Sequence, residues 1–208
     1  MEARPVALPS GAAWTRALFS VWAQRPLPTL VPWALGSLAI GLALLGAALT
    51  VATLAGPSEL YTPVFADPSA GVNDVARIVM RNTTVLALQV LVCFGFYVAH
   101  ARGRRDALWI IGALSAYSLL SQAWRLGHDL ASAAESLGLS PAGLTLRLSV
   151  HAVPELTAVF LPLAACLALM RRRRYDDLAA AAALTGIVAF PVVVLAATCE
   201  VFLTRYVV

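Results

Sequence analysis

The chain reads as an all-α, polytopic membrane protein with about five transmembrane helices and an N-terminal interfacial helix. Composition is the first reason. Of 208 residues, 60% are hydrophobic and only 12% are charged, with a mean hydropathy of +0.80. Soluble domains are about half apolar and a quarter charged. The second reason is spacing. Apolar runs of roughly 20 residues, the length that crosses a hydrocarbon core, alternate with short polar stretches. The clearest separator is the block Arg171 to Arg174.

The elements follow in chain order. Gly11 to Gln24 is expected to be an interfacial helix, because Trp14, Leu18, Val21 and Trp22 fall at helical spacing and Ser10 stands where a cap would. Arg16 and Arg25 interrupt this region, which argues against a cleaved signal peptide. Pro26, Pro28 and Pro32 are expected to end the helix and turn the chain into the bilayer. Residues 1–31 would thus be a cytoplasmic interfacial helix and linker. Residues 32–208 would form a single transmembrane domain.

The first span is expected at about Trp33 to Ala55, followed by a long loop, Gly56 to Asn82, whose part from Asn73 to Arg81 looks helical. The second span covers about Thr83 to Ala99 and the third about Ala107 to Trp124. Both are short and would need bilayer thinning or shelter against neighbours. A second long loop, Arg125 to Ser149, holds a helical stretch from Asp129 to Leu137 and a break near Gly138 to Pro141. The fourth span is expected at about Val150 to Met170 and the fifth at about Leu178 to Leu203.

Charge then orients the spans. All 15 basic residues are arginine. Ten lie before the first span, between the second and third, or between the fourth and fifth; five lie on the opposite side. The bias places the N-terminus in the cytoplasm and the C-terminus outside. The net charge of +4 is not a nucleic-acid footprint, since the arginines alternate with spans instead of covering one face. Cys93, Cys166 and Cys199 lie in apolar runs without CxxC spacing and read as buried free thiols.

Intramembrane charge is costly and therefore informative. Glu155 and Glu200 are the carboxylates within spans, each toward the outer end, and His151 stands four residues before Glu155. Arg81 and Asn82 mark the outer end of the second span, so all five residues fall at one depth. Pro154 between His151 and Glu155 suggests that the regular helix begins there. Three readings stay open. The residues could form a polar plug tying helices together, with Arg81 and Asn82 as its structural members. His151, Glu155 and Glu200 could ligate a divalent metal such as zinc, with His128 and Asp129, in an outer loop, able to add a ligand. Glu155 or Glu200 would then be the catalytic base of a peptidase or peptide cyclase. The cluster could also line a substrate path. No GxxxxGK[ST] phosphate loop and no GxSxG nucleophile elbow occurs, so ATP hydrolysis would have to come from a separate ATPase.

These residues also carry a resemblance. His151-Ala152-Val153-Pro154-Glu155-Leu156 resembles the His-Gly-x-x-Glu-Leu signature of the stage II sporulation protein M family. Arg81-Asn82 is similar to that family's Asn-rich helix entry, and Ala197-Thr198-Cys199-Glu200-Val201-Phe202 to its closing motif. Ala152 stands where the family has glycine, and Leu161-Pro162-Leu163-Ala164-Ala165 where it has a Gly-rich stretch. The resemblance covers about Val75 to the C-terminus. It implies a bacterial inner-membrane protein acting in maturation, export or self-protection for a secreted, bacteriocin-like peptide, or in cell-envelope assembly. It implies as partners the lipid bilayer, a hydrophobic peptide, and an ATPase or other membrane subunit. The alternative is a non-catalytic scaffold or permease subunit.

Overall fold

The computed structural model describes Ser20, residues 26–58 and residues 71–207. Every regular element among them is helical: α1 Pro26–Leu54, α2 Val72–Ala101, α3 Arg105–Ser136, α4 Pro141–Val159, α5 Leu161–Arg171 and α6 Leu178–Val207, with a 3-10 turn at Tyr175–Asp177 before α6. Four helices are each long and apolar enough to cross a membrane. The pair α4 and α5, bent by 47° at its junction, makes a fifth crossing when taken as one broken span. The expected interfacial helix Gly11 to Gln24 falls almost wholly outside the described residues.

Several expected boundaries move. Pro26 and Pro28 lie in the first turn of α1 and Pro32 lies inside it. They open the helix instead of preceding it, because the first turn has no N–H to lose. The stretches expected to be short spans are the C-terminal part of a 30-residue helix, α2, and the N-terminal part of a 32-residue helix, α3. At 1.5 Å per residue each extends about 45 Å, so no bilayer thinning is needed. The expected loop from Arg125 is mostly helix, since α3 runs on to Ser136 and α4 begins at Pro141. Ser140 caps α4 by accepting the Gly143 N–H at 3.1 Å, and Pro141 opens it.

The fourth span differs most. The helix does not begin at Pro154, which lies within α4; the break comes at Phe160. Pro162, in the first turn of α5, explains the position. It has no N–H, and its ring opposes the carbonyl four residues earlier, so the chain turns before it. Carbonyls freed at such a break need partners inside the protein, because lipid offers none. The Ser37 hydroxyl of α1, fully buried, donates to the Thr157 carbonyl at 2.6 Å.

The broken span is the axis of the bundle. Leu161 to Cys166 and Leu169 of α5 are buried, with Phe160 and Ala165 fully so. Around it, α2 pairs most extensively with α6 and α1 with α3, while α4 and α5 pack on α1 and α6. Three apolar clusters succeed one another along the helices. Trp33, Tyr97, Leu169 and Leu178 belong to the one at the arginine-rich end. Leu44, Leu86, Phe160 and Val193 belong to the middle one. Ala52, Leu130, Ala134 and Leu144 belong to the one at the opposite end. Large apolar side chains such as Leu35, Leu91, Trp109, Leu120 and Leu195 face outward, as a lipid-facing surface requires.

Candidate functional site

Between the middle cluster and the one opposite the arginine-rich end, four helices bring polar side chains together. Asn82 lies on α2 one turn from Leu86, and Glu155 on α4 one turn before the buried Val159. The Asn82 side-chain N–H donates to Glu155 Oε1, joining residues 73 apart in sequence. Arg81 turns the other way and meets Asp129 of α3 at 3.7 Å. Two consecutive residues of α2 therefore hold α4 and α3. Glu200 of α6 lies within electrostatic range of Glu155 and of Arg81, and Asp129 within range of Arg125 and His128.

Each member has a physical reason to be there. A carboxylate facing lipid would lose its hydration with nothing in return, so Glu155 and Glu200 turn inward toward a carboxamide and a guanidinium. Arg81 stays largely exposed, with 45% of its side chain accessible. It can thus keep solvent or headgroup contacts while offsetting the acids. At 3.7 Å and with that exposure, its pair with Asp129 orients more than it stabilises.

Of the residues singled out in the sequence, Asn82 and Glu155 are bonded directly, and Arg81 and Glu200 stand within charge range. His151 lies on the same helix one turn before Glu155 and is partly buried. It makes no hydrogen bond or ion pair with either glutamate. Among the described residues, no three His, Cys, Asp or Glu side chains gather as a metal-ligand group. The groups bonded to Glu155 or acting on it by charge are the Asn82 carboxamide, the Glu200 carboxyl and the Arg81 guanidinium. The chemistry of this set is hydrogen bonding and charge. His128, thought of as a further ligand, is used otherwise. Its Nδ1 is 2.9 Å from the Gly56 carbonyl, and its ring meets Trp124 edge-on at 4.8 Å. It ties α3 to the turn that leaves α1.

Two features escaped the sequence reading. Gln89, one helical face with Asn82 and two turns deeper, is only 2% exposed and has no side-chain hydrogen-bond partner among the described residues. It lines a groove of about 200 Å³ between α2 and α3, together with Leu91, Val92, Ile111, Ser115 and Ser118. A lone glutamine in an apolar run was the available signal. Ser37 was the other, and nothing local in the sequence marks it as the partner of a carbonyl 120 residues away. The three cysteines are free, and the Cys93 thiol donates to the Pro162 carbonyl at 3.1 Å. No family model matches the chain, and no curated protein or solved structure matches it.

Proposed function

We propose that the protein is an integral membrane subunit that uses the Glu155 and Glu200 carboxyls to take up a proton or a cationic substrate group. The carrying observation is the Asn82 to Glu155 hydrogen bond, made within the broken span about one turn before its break and near a second carboxyl. Ionisable groups at such a place are usually functional, and interrupted helices recur where transporters bind their cargo. The proton or cation reading is preferred because the groups bonded to Glu155 or acting on it by charge are a carboxamide, a second carboxyl and a guanidinium.

The further reading, that the work is maturation, export or self-protection for a secreted apolar peptide beside a separate ATPase or membrane subunit, rests on the resemblance carried by His151 to Leu156, Arg81-Asn82 and Ala197 to Phe202. The arginine bias supports an orientation in an inner membrane with the arginine-rich end in the cytoplasm and the carboxyls toward the outer leaflet.

The test is chemical. Hydrophobic carbodiimides add to carboxyls that carry a proton in the apolar phase. Membranes holding the full chain should incorporate label at Glu155 or Glu200, and Glu155→Gln with Glu200→Gln should abolish it. An unlabelled wild-type chain would remove the proton-binding role. Orientation is checked separately with single cysteines in a Cys-free background. A cysteine at Ser136 should react with an impermeant maleimide in intact cells and one at Arg172 should not.

A further inference from the structure

Three helices end with the same turn. After α2, the Gly103 N–H bonds the His100 carbonyl at 2.9 Å and the Arg104 N–H bonds the Ala99 carbonyl at 2.9 Å. After α3, Gly138 and Leu139 repeat this with Glu135 and Ala134. After α5, Arg173 bonds Met170 at 3.0 Å and Arg174 bonds Leu169 at 2.9 Å. The turn needs a left-handed residue at its centre, which is why glycine is usual there. Gly103 and Gly138 supply it at φ 65 and φ 64, but the third turn uses Arg173 at φ 56. Arg173 is the one non-glycine residue with positive φ among those described. An L side chain is strained in that conformation, and glycine would relieve it. The helix end therefore does not explain the arginine.

Two of these turns are neighbours. His100 stacks on Tyr175, with ring centroids 3.9 Å apart and planes 14° from parallel. The stack brings the α2–α3 turn beside the α5–α6 turn. Arg102 and Arg104 on the first, and Arg171, Arg172 and Arg173 on the second, are all exposed. Among the described residues none of these five has an ion pair; Arg174 has one, to Asp177 at 2.6 Å. Asp106 and Asp176 are the other acids at this end, so positive charge is in clear excess. The turns cap apolar helices at the level where headgroups begin.

We propose that these two turns form a binding site for an anionic phospholipid headgroup, whose phosphodiester bridges arginines of both turns. The charge is complementary, and the guanidinium fork suits a phosphate better than a solvated face would require. Arg173 holds its strained backbone because its side chain belongs to this site. The inference is independent of the carboxyl pair.

The test uses the full chain purified in nonionic detergent. Short-chain phosphatidylglycerol, phosphatidylcholine and inorganic phosphate are titrated separately, with thermal unfolding as readout. Phosphatidylglycerol should give a saturable rise in midpoint, and the other two should not. Arg173→Gly removes a guanidinium and relaxes the turn. Without lipid it should be at least as stable as wild type, so misfolding cannot imitate the effect. Its phosphatidylglycerol affinity should fall about fivefold, and Arg104→Gln with Arg172→Gln should lower it about 30-fold. Equal response to phosphatidylcholine would overturn the proposal, and so would full reproduction by inorganic phosphate. Unchanged affinity in the arginine variants would do the same.

Discussion

Gly127 gives the sharpest test of the packing that holds the site. A methyl group on its Cα would stand 2.5 Å from Val51 Cβ and 2.7 Å from the Ala48 carbonyl oxygen. Carbon atoms in contact prefer about 3.5–4.0 Å, so alanine would drive α1 and α3 apart by about 1 Å. Two effects oppose each other. Alanine is favoured over glycine inside a helix by about 1 kcal/mol. Overpacking costs about 1–3 kcal/mol and occasionally more. Here the obstacles are a backbone oxygen and a Cβ, which no rotamer change can move, so the cost should lie at the upper end. The net expectation for Gly127→Ala is destabilisation by about 1–2 kcal/mol.

Two glycines on the same helices supply the control. A methyl at Gly46 of α1 or Gly112 of α3 meets nothing within 4 Å. Each alanine variant should be neutral or up to about 1 kcal/mol more stable. Reversible unfolding in mixed micelles with rising SDS, followed by tryptophan fluorescence, would rank the three. If Gly127→Ala proves as stable as Gly112→Ala, the close approach of α1 and α3 is wrong. The placement of Asp129 beside Arg81 then goes with it.

Three further outcomes are expected. In a double-mutant cycle on the same unfolding assay, Asn82→Leu and Glu155→Leu should couple by about 0.6–2 kcal/mol, and zero coupling would deny their hydrogen bond. Gln89→Met keeps the size of the side chain and removes an unpartnered amide, so it should stabilise by about 1 kcal/mol or more if the α2–α3 groove is dry; loss of stability would mean that something polar fills it. Ser37→Ala should cost about 0.5–1.5 kcal/mol by leaving the Thr157 carbonyl unpaired, whereas Thr50→Ala, whose hydroxyl bonds only its own helix at the Gly46 carbonyl, should cost less.

Much of the architecture was legible because its causes are local. Apolar length marks helices that can span, and arginine blocks mark their ends. Gly138 followed by Ser140 and Pro141 spelled a stop and a start, and α3 and α4 meet there. Helix length was misjudged where charged residues continue an apolar helix. The span was expected to end at Trp124, with Asp129 to Leu137 as a separate helical stretch in a loop, yet α3 runs through Arg125 into that stretch because Asp129 finds Arg81 and the Ala131, Ala133 and Ala134 face finds a core. The site was legible in part. That Asn82, Glu155 and Glu200 share one depth follows from counting along spans. Which of these three touch depends on how each helix is rotated about its axis. Packing decides that rotation, as at Gly41, where a Cβ would come within 3.0 Å of Leu156 Cβ.

The break in the fourth span and the candidate site share the same neighbours. A bent helix in lipid persists only if the protein satisfies its freed carbonyls. Ser37 does so from α1, and from α2 the Cys93 thiol adds a bond to the Pro162 carbonyl. Asn82, which holds Glu155, lies on α2 eleven residues before Cys93. Eleven residues are about three helical turns, so both side chains leave α2 on one face. One face of α2 thus grips the broken span on both sides of Phe160, once at the acid and once beyond the bend. Of these two grips, the one at Glu155 involves a carboxyl and the other a thiol. Loss of the Asn82 bond would remove one of two ties on the α4 side and leave Ser37 on the Thr157 carbonyl, while Cys93 still held the α5 end.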